Sequence, residues 1–352
     1  MCLDRPPEFA GPPEFAGPPE AAGAPDEPVP AGEIRTTGRA MATRISLLVP
    51  RPGRAPRSLR ESQEATSRAM AVFREVDRTC TRFDPDSPLM IANRSPERWH
   101  RLPETLFRAI EEAKSAHDAT RGSFDPRVIG SLVALGYDRT LPFHDGNVSL
   151  SANRRSRPLG ASGGTSGAWR PRFRHATREV LLGPAPIDLG GIGKGLAVRW
   201  SSEVLAQEWR DFLVEAGGDC FAAGRPADGD AWRIGVEDPS VPRSPICVLA
   251  LSDRAVTTSS ARLRRWVVGG RRAHHLIDPR TGRPGGKGLV SVTVVGEDPA
   301  RAEVWSKALF LEGPERIDDL SRRRGIPSLW IDDNGRLDMS PAMERYVEWR
   351  RK

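Results

Sequence analysis

The sequence predicts a mixed α+β fold: largely antiparallel sheets with packed helices, in two closely joined lobes. Three observations carry this expectation. Strand-like and helix-like runs alternate irregularly, unlike the regular rhythm of a doubly wound parallel sheet. Several strand-like runs lie close enough in sequence to be joined by hairpins. The 352 residues exceed one average domain and can bury a substantial core.

Composition agrees with a folded body carrying long irregular segments, since 38% of residues are hydrophobic and there are nine Trp, 34 Gly and 32 Pro. Residues 1–35 form a separate zone in which PPEFAG occurs twice in tandem and is followed by PPEAAG. Such a Pro/Ala/Glu/Gly segment cannot offset its chain entropy by burial, so a disordered tail is expected. The folded domain is expected over 36–345, followed by a short basic end at 346–352.

Within the domain, Arg44 to Val49 reads as the first strand. Ser58 to Val76 places Ala65, Ala69, Val72, Phe73 and Val76 at helical spacing, and Pro103 to His117 does the same with Leu106, Phe107, Ile110 and Ala113. A long polar stretch at about 140–186, with a Gly/Ser-rich run at 160–167, predicts a flexible insertion. Gly193 to Trp209 reads as a helix; Phe212 to Ala216, Trp232 to Val236, Ile246 to Leu251 and Leu289 to Val295 read as strands. Asp298-Pro299 supplies an N-cap and a first-turn proline for a helix running through Phe310. Arg322-Arg323-Arg324 before Gly325 reads as a helix C-terminus, where cations suit the dipole.

The net charge of +7 comes from arginines interleaved with acidic residues, which is a solvated surface rather than a nucleic-acid footprint. There is no basic helix, zinc spacing or aromatic-basic interleaving, so no nucleic-acid partner is expected. No apolar run has the length of a membrane span, and no basic-then-apolar leader is visible. Cys2, Cys80, Cys220 and Cys247 show no metal spacing, so reduced thiols and a cytoplasmic location are expected.

Three motifs carry chemistry. Asp188-Leu-Gly-Gly-Ile-Gly-Lys-Gly195 is a glycine-rich turn opening a helix, which suits either a tight turn or a phosphate. It matches neither the P-loop nor the G-x-G-x-x-G template. Gly217-Gly218-Asp219 follows a strand and permits close packing or close ligand approach. His275-Leu-Ile-Asp-Pro-Arg-Thr-Gly282 combines an imidazole, a carboxylate and a guanidinium on a turn. It reads as proton-transfer chemistry or as a β-turn in which Asp278 caps its own backbone.

Together, and in this order, these pieces resemble the FAD:protein FMN transferase family, formerly called thiamine-biosynthesis lipoproteins. The resemblance runs from about Met41 to Gly313 and includes Met41-Ala-Thr43, Thr81 to Ser87, Gly122-Ser-Phe-Asp-Pro126 and Ala255 to Ser259. It implies a cleft between the lobes that binds FAD, with Mg²⁺ on the diphosphate. It also implies transfer of the FMN half to a Ser or Thr hydroxyl of an acceptor flavoprotein, with release of AMP. By similarity Met41, Phe83, Ser123, Phe124, Asp125, Asp188, Lys194 and Ile277 contact FAD, while His275 and Asp278 serve the transfer step.

The family's metal ligands match Gly191, Glu303 and Lys307, and here the pattern departs, because the last position is normally Thr. Glu303 and Lys307 are spaced i,i+4 and share a helix face. An ammonium only donates hydrogen bonds and is no Mg²⁺ ligand. Either Lys307 pairs with Glu303 and leaves a degenerate, non-catalytic FAD-binding site, or its ammonium stands in for the cation. Ala42, Arg199, Ser260 and Ala261 also depart from the family's residues.

Overall fold

Eight strands form the frame of the protein. Glu33–Ala40, Thr43–Pro50, Phe212–Ala216, Asp219–Ala223, Arg254–Ser260, Leu289–Gly296, Ser328–Asp332 and Leu337–Met339 lie side by side in chain order, each antiparallel to the next. The computed structural model describes residues 32–50, 58–143, 148–150, 164–165, 167–227, 229–241, 244–262 and 264–351.

Side-chain alternation explains why both faces of this sheet are covered. Ile45, Leu47, Val49 and Val214 turn toward a helical layer, where they join Phe73, Ile110, Leu196 and Trp200 in one core. Leu48, Leu213, Val256, Leu329 and Ile331 turn the other way. They meet a three-stranded antiparallel sheet of Trp232–Glu237, Pro245–Leu251 and Val347–Arg350. The result is three layers, helix on sheet on sheet.

The helices start where the sequence signals them. Ser58 and Glu61 form a reciprocal capping box for Leu59–Cys80. Asp298 accepts from the Arg301 N–H ahead of Pro299–Glu312. Helix Ile317–Arg324 ends with its three arginines in the last turn and Gly325 in the left-handed region, at φ 62°. A smaller lobe gathers around Tyr137, Trp266, Leu132 and Ile277. Its Trp266 indole N–H bonds the Leu135 carbonyl at 2.7 Å, tying the Arg265–Val268 strand to the chain that follows helix Ile129–Ala134.

Three boundaries differ from expectation. The folded chain includes Glu33, because backbone pairing with Thr43–Pro50 needs no apolar side chain and the buried Glu33 carboxylate accepts from the Ala227 N–H at 3.1 Å. The second half of the expected insertion is part of the body. Arg172–Arg174 and Glu179–Leu181 build a sheet with His100–Arg101. Trp169 is buried there, with its indole N–H on the Leu182 carbonyl at 2.9 Å. Polar composition concealed this, since only a few side chains of the segment turn inward. The expected basic end is a strand, Val347–Arg350, with Trp349 opposite Val248. The expected tail at 1–31 and most of the 160–167 run lie outside the described residues.

Candidate active site

The helix Gly193–Ala206 crosses Pro299–Glu312 at Gly195. A Cβ there would lie 2.6 Å from both the Ala300 Cα and the Pro299 carbonyl oxygen, so only glycine lets the two backbones touch. The contact also solves a capping problem. Ile192 offers no side-chain cap to the helix, whose first N–H groups need acceptors. Glu303 reaches across from the second helix, and its Oε2 accepts from the Gly195 N–H at 2.8 Å. A carboxylate at a helix N-terminus is also favoured by the dipole.

Around that cap sits a four-charge cluster. The Lys307 ammonium donates to Glu303 Oε1 at 2.9 Å, and Lys194 Nζ lies 3.8 Å from the same oxygen. Lys194 also donates to Asp219 Oδ2, while Asp219 Oδ1 accepts from the Thr258 N–H at 3.0 Å. The Glu303 and Asp219 side chains are each 1% exposed, whereas Lys194 and Lys307 are 17% and 15% exposed. The carboxylates form the floor and the ammoniums stand above them.

The charge states follow from this geometry. Burial alone would lift the Glu303 carboxyl, but Lys307, Lys194 and the Gly195 N–H hold it below its usual range. Burial would likewise weaken the Lys194 ammonium, and Asp219 and Glu303 outweigh it, raising its pKa. Asp219 is pushed up by burial, against the opposing pull of Lys194.

Other segments converge here. The loop Asp188 to Ile192 passes beside Lys307, whose Cδ would be 3.5 Å from a Cβ on Gly191, and the Phe124 ring crowds the same position at 2.9 Å. Met41 reaches Gly193 with its methyl group, and its N–H donates to Asp77 at 2.8 Å. His275 is held neutral first by burial, then by the nearby Arg264 and Lys307 cations, which push its pKa well below the usual value. Its Nδ1 is buried with no hydrogen-bond partner among the described residues. Arg82 spans from Asp188, at 3.5 Å, to the exposed Phe83 ring, whose centroid is 4.2 Å from the guanidinium carbon.

A second group lies beside this one. The Arg127 guanidinium chelates the Asp125 carboxylate, and Thr165 Oγ1 donates to it at 2.8 Å. Arg127 and Thr165 outweigh burial and lower the Asp125 pKa. The Thr165 N–H bonds the Pro279 carbonyl at 2.6 Å, which couples Asp125 to the 275–282 turn. In that turn Asp278 accepts from the Arg280 N–H and guanidinium at 2.9–3.0 Å. Its carboxylate therefore shapes the turn. Ile277 is buried in the smaller lobe, and Ser123 Oγ donates to Glu312 at 3.3 Å.

A profile of the ApbE family matches residues 41–330, most of the chain. The chain belongs to the ApbE family. Among curated relatives, the FAD:protein FMN transferase of Escherichia coli K12 is 30% identical over 166 residues, 46% of this chain and 47% of that protein. The chain thus aligns with about half the length of this relative. The FAD:protein FMN transferase of Vibrio cholerae is 28% identical over 86% of this chain and 88% of its own. The crystal structure of the ApbE protein of Thermotoga maritima has the same fold, with a TM-score of 0.74, 24% identity and coverage of 91% of this chain and all of that one.

In this ApbE family member, the donor set does not fit Mg²⁺. Of Gly191, Glu303 and Lys307, only Glu303 carries anionic oxygens, and both are engaged by Lys307 and Gly195. The Asp219 oxygens are held by Lys194 and Thr258. Among the described residues no group of three or more His, Cys, Asp or Glu could hold a metal. Arg199, another departure, bridges Asp298 and Glu112 at 2.7 Å and fastens helices together.

The motifs Gly217-Gly218-Asp219 and Ala255 to Ser259 contain Asp219 and Thr258 without giving either a role, and no motif contains Arg264. Asp219 had a usable signal, an acidic residue entering an apolar strand straight after a Gly-Gly turn. Those glycines make a tight hairpin, both at positive φ (59° and 90°), with Gly217 packed on Thr43. Close packing, not ligand approach, accounts for Gly217.

Proposed function

We propose that this chain is an FAD:protein FMN transferase, moving FMN from FAD onto a Ser or Thr hydroxyl of a target flavoprotein and releasing AMP. The observation that carries the reading is the convergence of the glycine loop, Lys194 and a neutral His275 whose Nδ1 is unpartnered, from distant parts of an ApbE family chain. FAD lies between the lobes, with its diphosphate at the start of helix Gly193–Ala206 beside Lys194. Met41, Phe83, Phe124, Asp188 and Ile277 bound the flavin and its linker, and Ser123 and Asp125 brace that wall.

The acceptor hydroxyl attacks the phosphorus of the FMN half. A new P–O bond forms as the diphosphate bridge breaks, and AMP departs with the bridging oxygen. The hydroxyl proton passes to His275, whose neutral imidazole can accept it. Asp278 positions the turn that presents His275, through its chelate with Arg280. Three buried free thiols, Cys80, Cys220 and Cys247, support a cytoplasmic location. No helix among the described residues is long and apolar enough to cross a membrane.

The test combines purified protein, FAD and a Ser/Thr acceptor peptide, and measures peptide-bound flavin fluorescence together with AMP. His275→Ala should lower transfer by about 10²–10⁴-fold while FAD still binds. Bound FAD with neither labelled peptide nor AMP, across a panel of acceptors, would refute the transferase reading.

A further inference from the structure

The floor of the site raises a question of charge. A diphosphate needs cations against its oxygens, and a divalent ion would need oxygen donors facing it. Here the two floor carboxylates are covered. Glu303 is held by Lys307, Lys194 and the Gly195 N–H, and Asp219 by Lys194 and the Thr258 N–H. The two lysine side chains are more exposed than either carboxylate, at 17% and 15% against 1%, and the Lys307 stem runs along Gly191 in the glycine loop.

We propose that the Lys194 and Lys307 ammoniums hold the diphosphate of FAD directly, with no divalent cation between protein and phosphate. This rests on FAD being the substrate. An ammonium has three donors, so Lys307 can keep Glu303 on one and give the others to phosphate oxygens. The buried carboxylates hold both lysines in place, much as acids hydrogen-bonded to metal ligands orient those ligands. The i,i+4 pairing also sets the position of Lys307 before a ligand arrives.

The experiment titrates FAD into the full chain and follows flavin fluorescence, once with EDTA and once with excess Mg²⁺. Wild type should bind with the same affinity, within about twofold, in both. Lys307→Met should lose about tenfold or more in both, the loss expected for removing one charged hydrogen bond. Lys307→Thr should bind weakly in EDTA and recover when Mg²⁺ is added. Wild-type binding that requires Mg²⁺ overturns the inference and leaves the transferase reading intact. No FAD binding under either condition overturns both. The wild-type comparison decides the matter even if a variant fails to fold.

Discussion

Gly195→Ala tests whether the site rests on two helices in backbone contact. The added Cβ would sit 2.6 Å from the Ala300 Cα and the Pro299 carbonyl oxygen and 2.9 Å from the Ala300 nitrogen. Carbon atoms prefer about 3.5–4.0 Å, so the helices must part by about 1 Å. Overpacking of this kind costs about 1–3 kcal/mol. Separation also stretches the 2.8 Å bond from the Gly195 N–H to Glu303, a charge-assisted bond worth about 1.5–3 kcal/mol. Replacing a helical glycine returns about 1 kcal/mol of propensity. The net expectation is a loss of about 2–4 kcal/mol, read as a lower urea midpoint at unchanged slope. Gly193→Ala is the control, because its Cβ meets only the end of the Met41 side chain at 3.3 Å. It should stay within about 1 kcal/mol of wild type, given the same propensity gain. Equal stability of the two variants would refute the backbone-contact argument.

Three further outcomes are expected. Ala42 holds a left-handed backbone at φ 57° in the turn joining the first two strands, so Ala42→Gly should stabilise by about 1 kcal/mol, seen as a higher melting temperature. Burial lowers the His274 pKa from 6.5 to about 4, so the unfolded chain alone takes up this proton as pH falls below about 6.5. The stability present above that pH should drop by about 2 kcal/mol on going to about pH 5, and His274→Gln should lack this component in acid denaturation curves. Glu215 has the opposite sign, because burial raises its pKa from 4.5 to about 7, and its contribution is lost as pH rises through that value. Glu215→Gln should therefore gain on wild type by about 1 kcal/mol between about pH 6 and 8, and a constant difference would contradict that assignment.

What could be read from the sequence depended on the reach of each signal. The strands Thr43–Pro50 and Leu289–Gly296 and the helix after Asp298-Pro299 follow local patterns, so their existence was legible. The strand of Val347–Arg350 and the sheet around Trp169 depend on partners far along the chain, and short polar segments carry no periodicity to reveal them. The same division holds in the site. The Glu303–Lys307 pair was legible from i,i+4 spacing. The pairing of Asp219 with Lys194 was not, because Lys194 sits on a helix and only its packing against the sheet brings them together. The 275–282 motif allowed two readings, a turn or proton transfer. The structure assigns the Asp278 carboxylate to the turn, while His275 remains without a partner on Nδ1.

Glu303 ties stability and binding to one side chain at this site. One of its oxygens caps the helix that opens at the glycine loop, and the other holds Lys307 and draws in Lys194. The same carboxylate therefore fixes the loop and aims the cations. A buried charge of this kind is costly unless every oxygen is engaged, and breaking one side leaves the other uncompensated. Glu303→Gln keeps an oxygen for the Gly195 N–H but removes the charge that orders both ammoniums. If the cap alone mattered, this variant would keep wild-type FAD affinity. If Glu303 also orders the lysines, affinity should fall by about tenfold even where the fold persists. Flavin fluorescence titration beside a urea melt separates the two contributions.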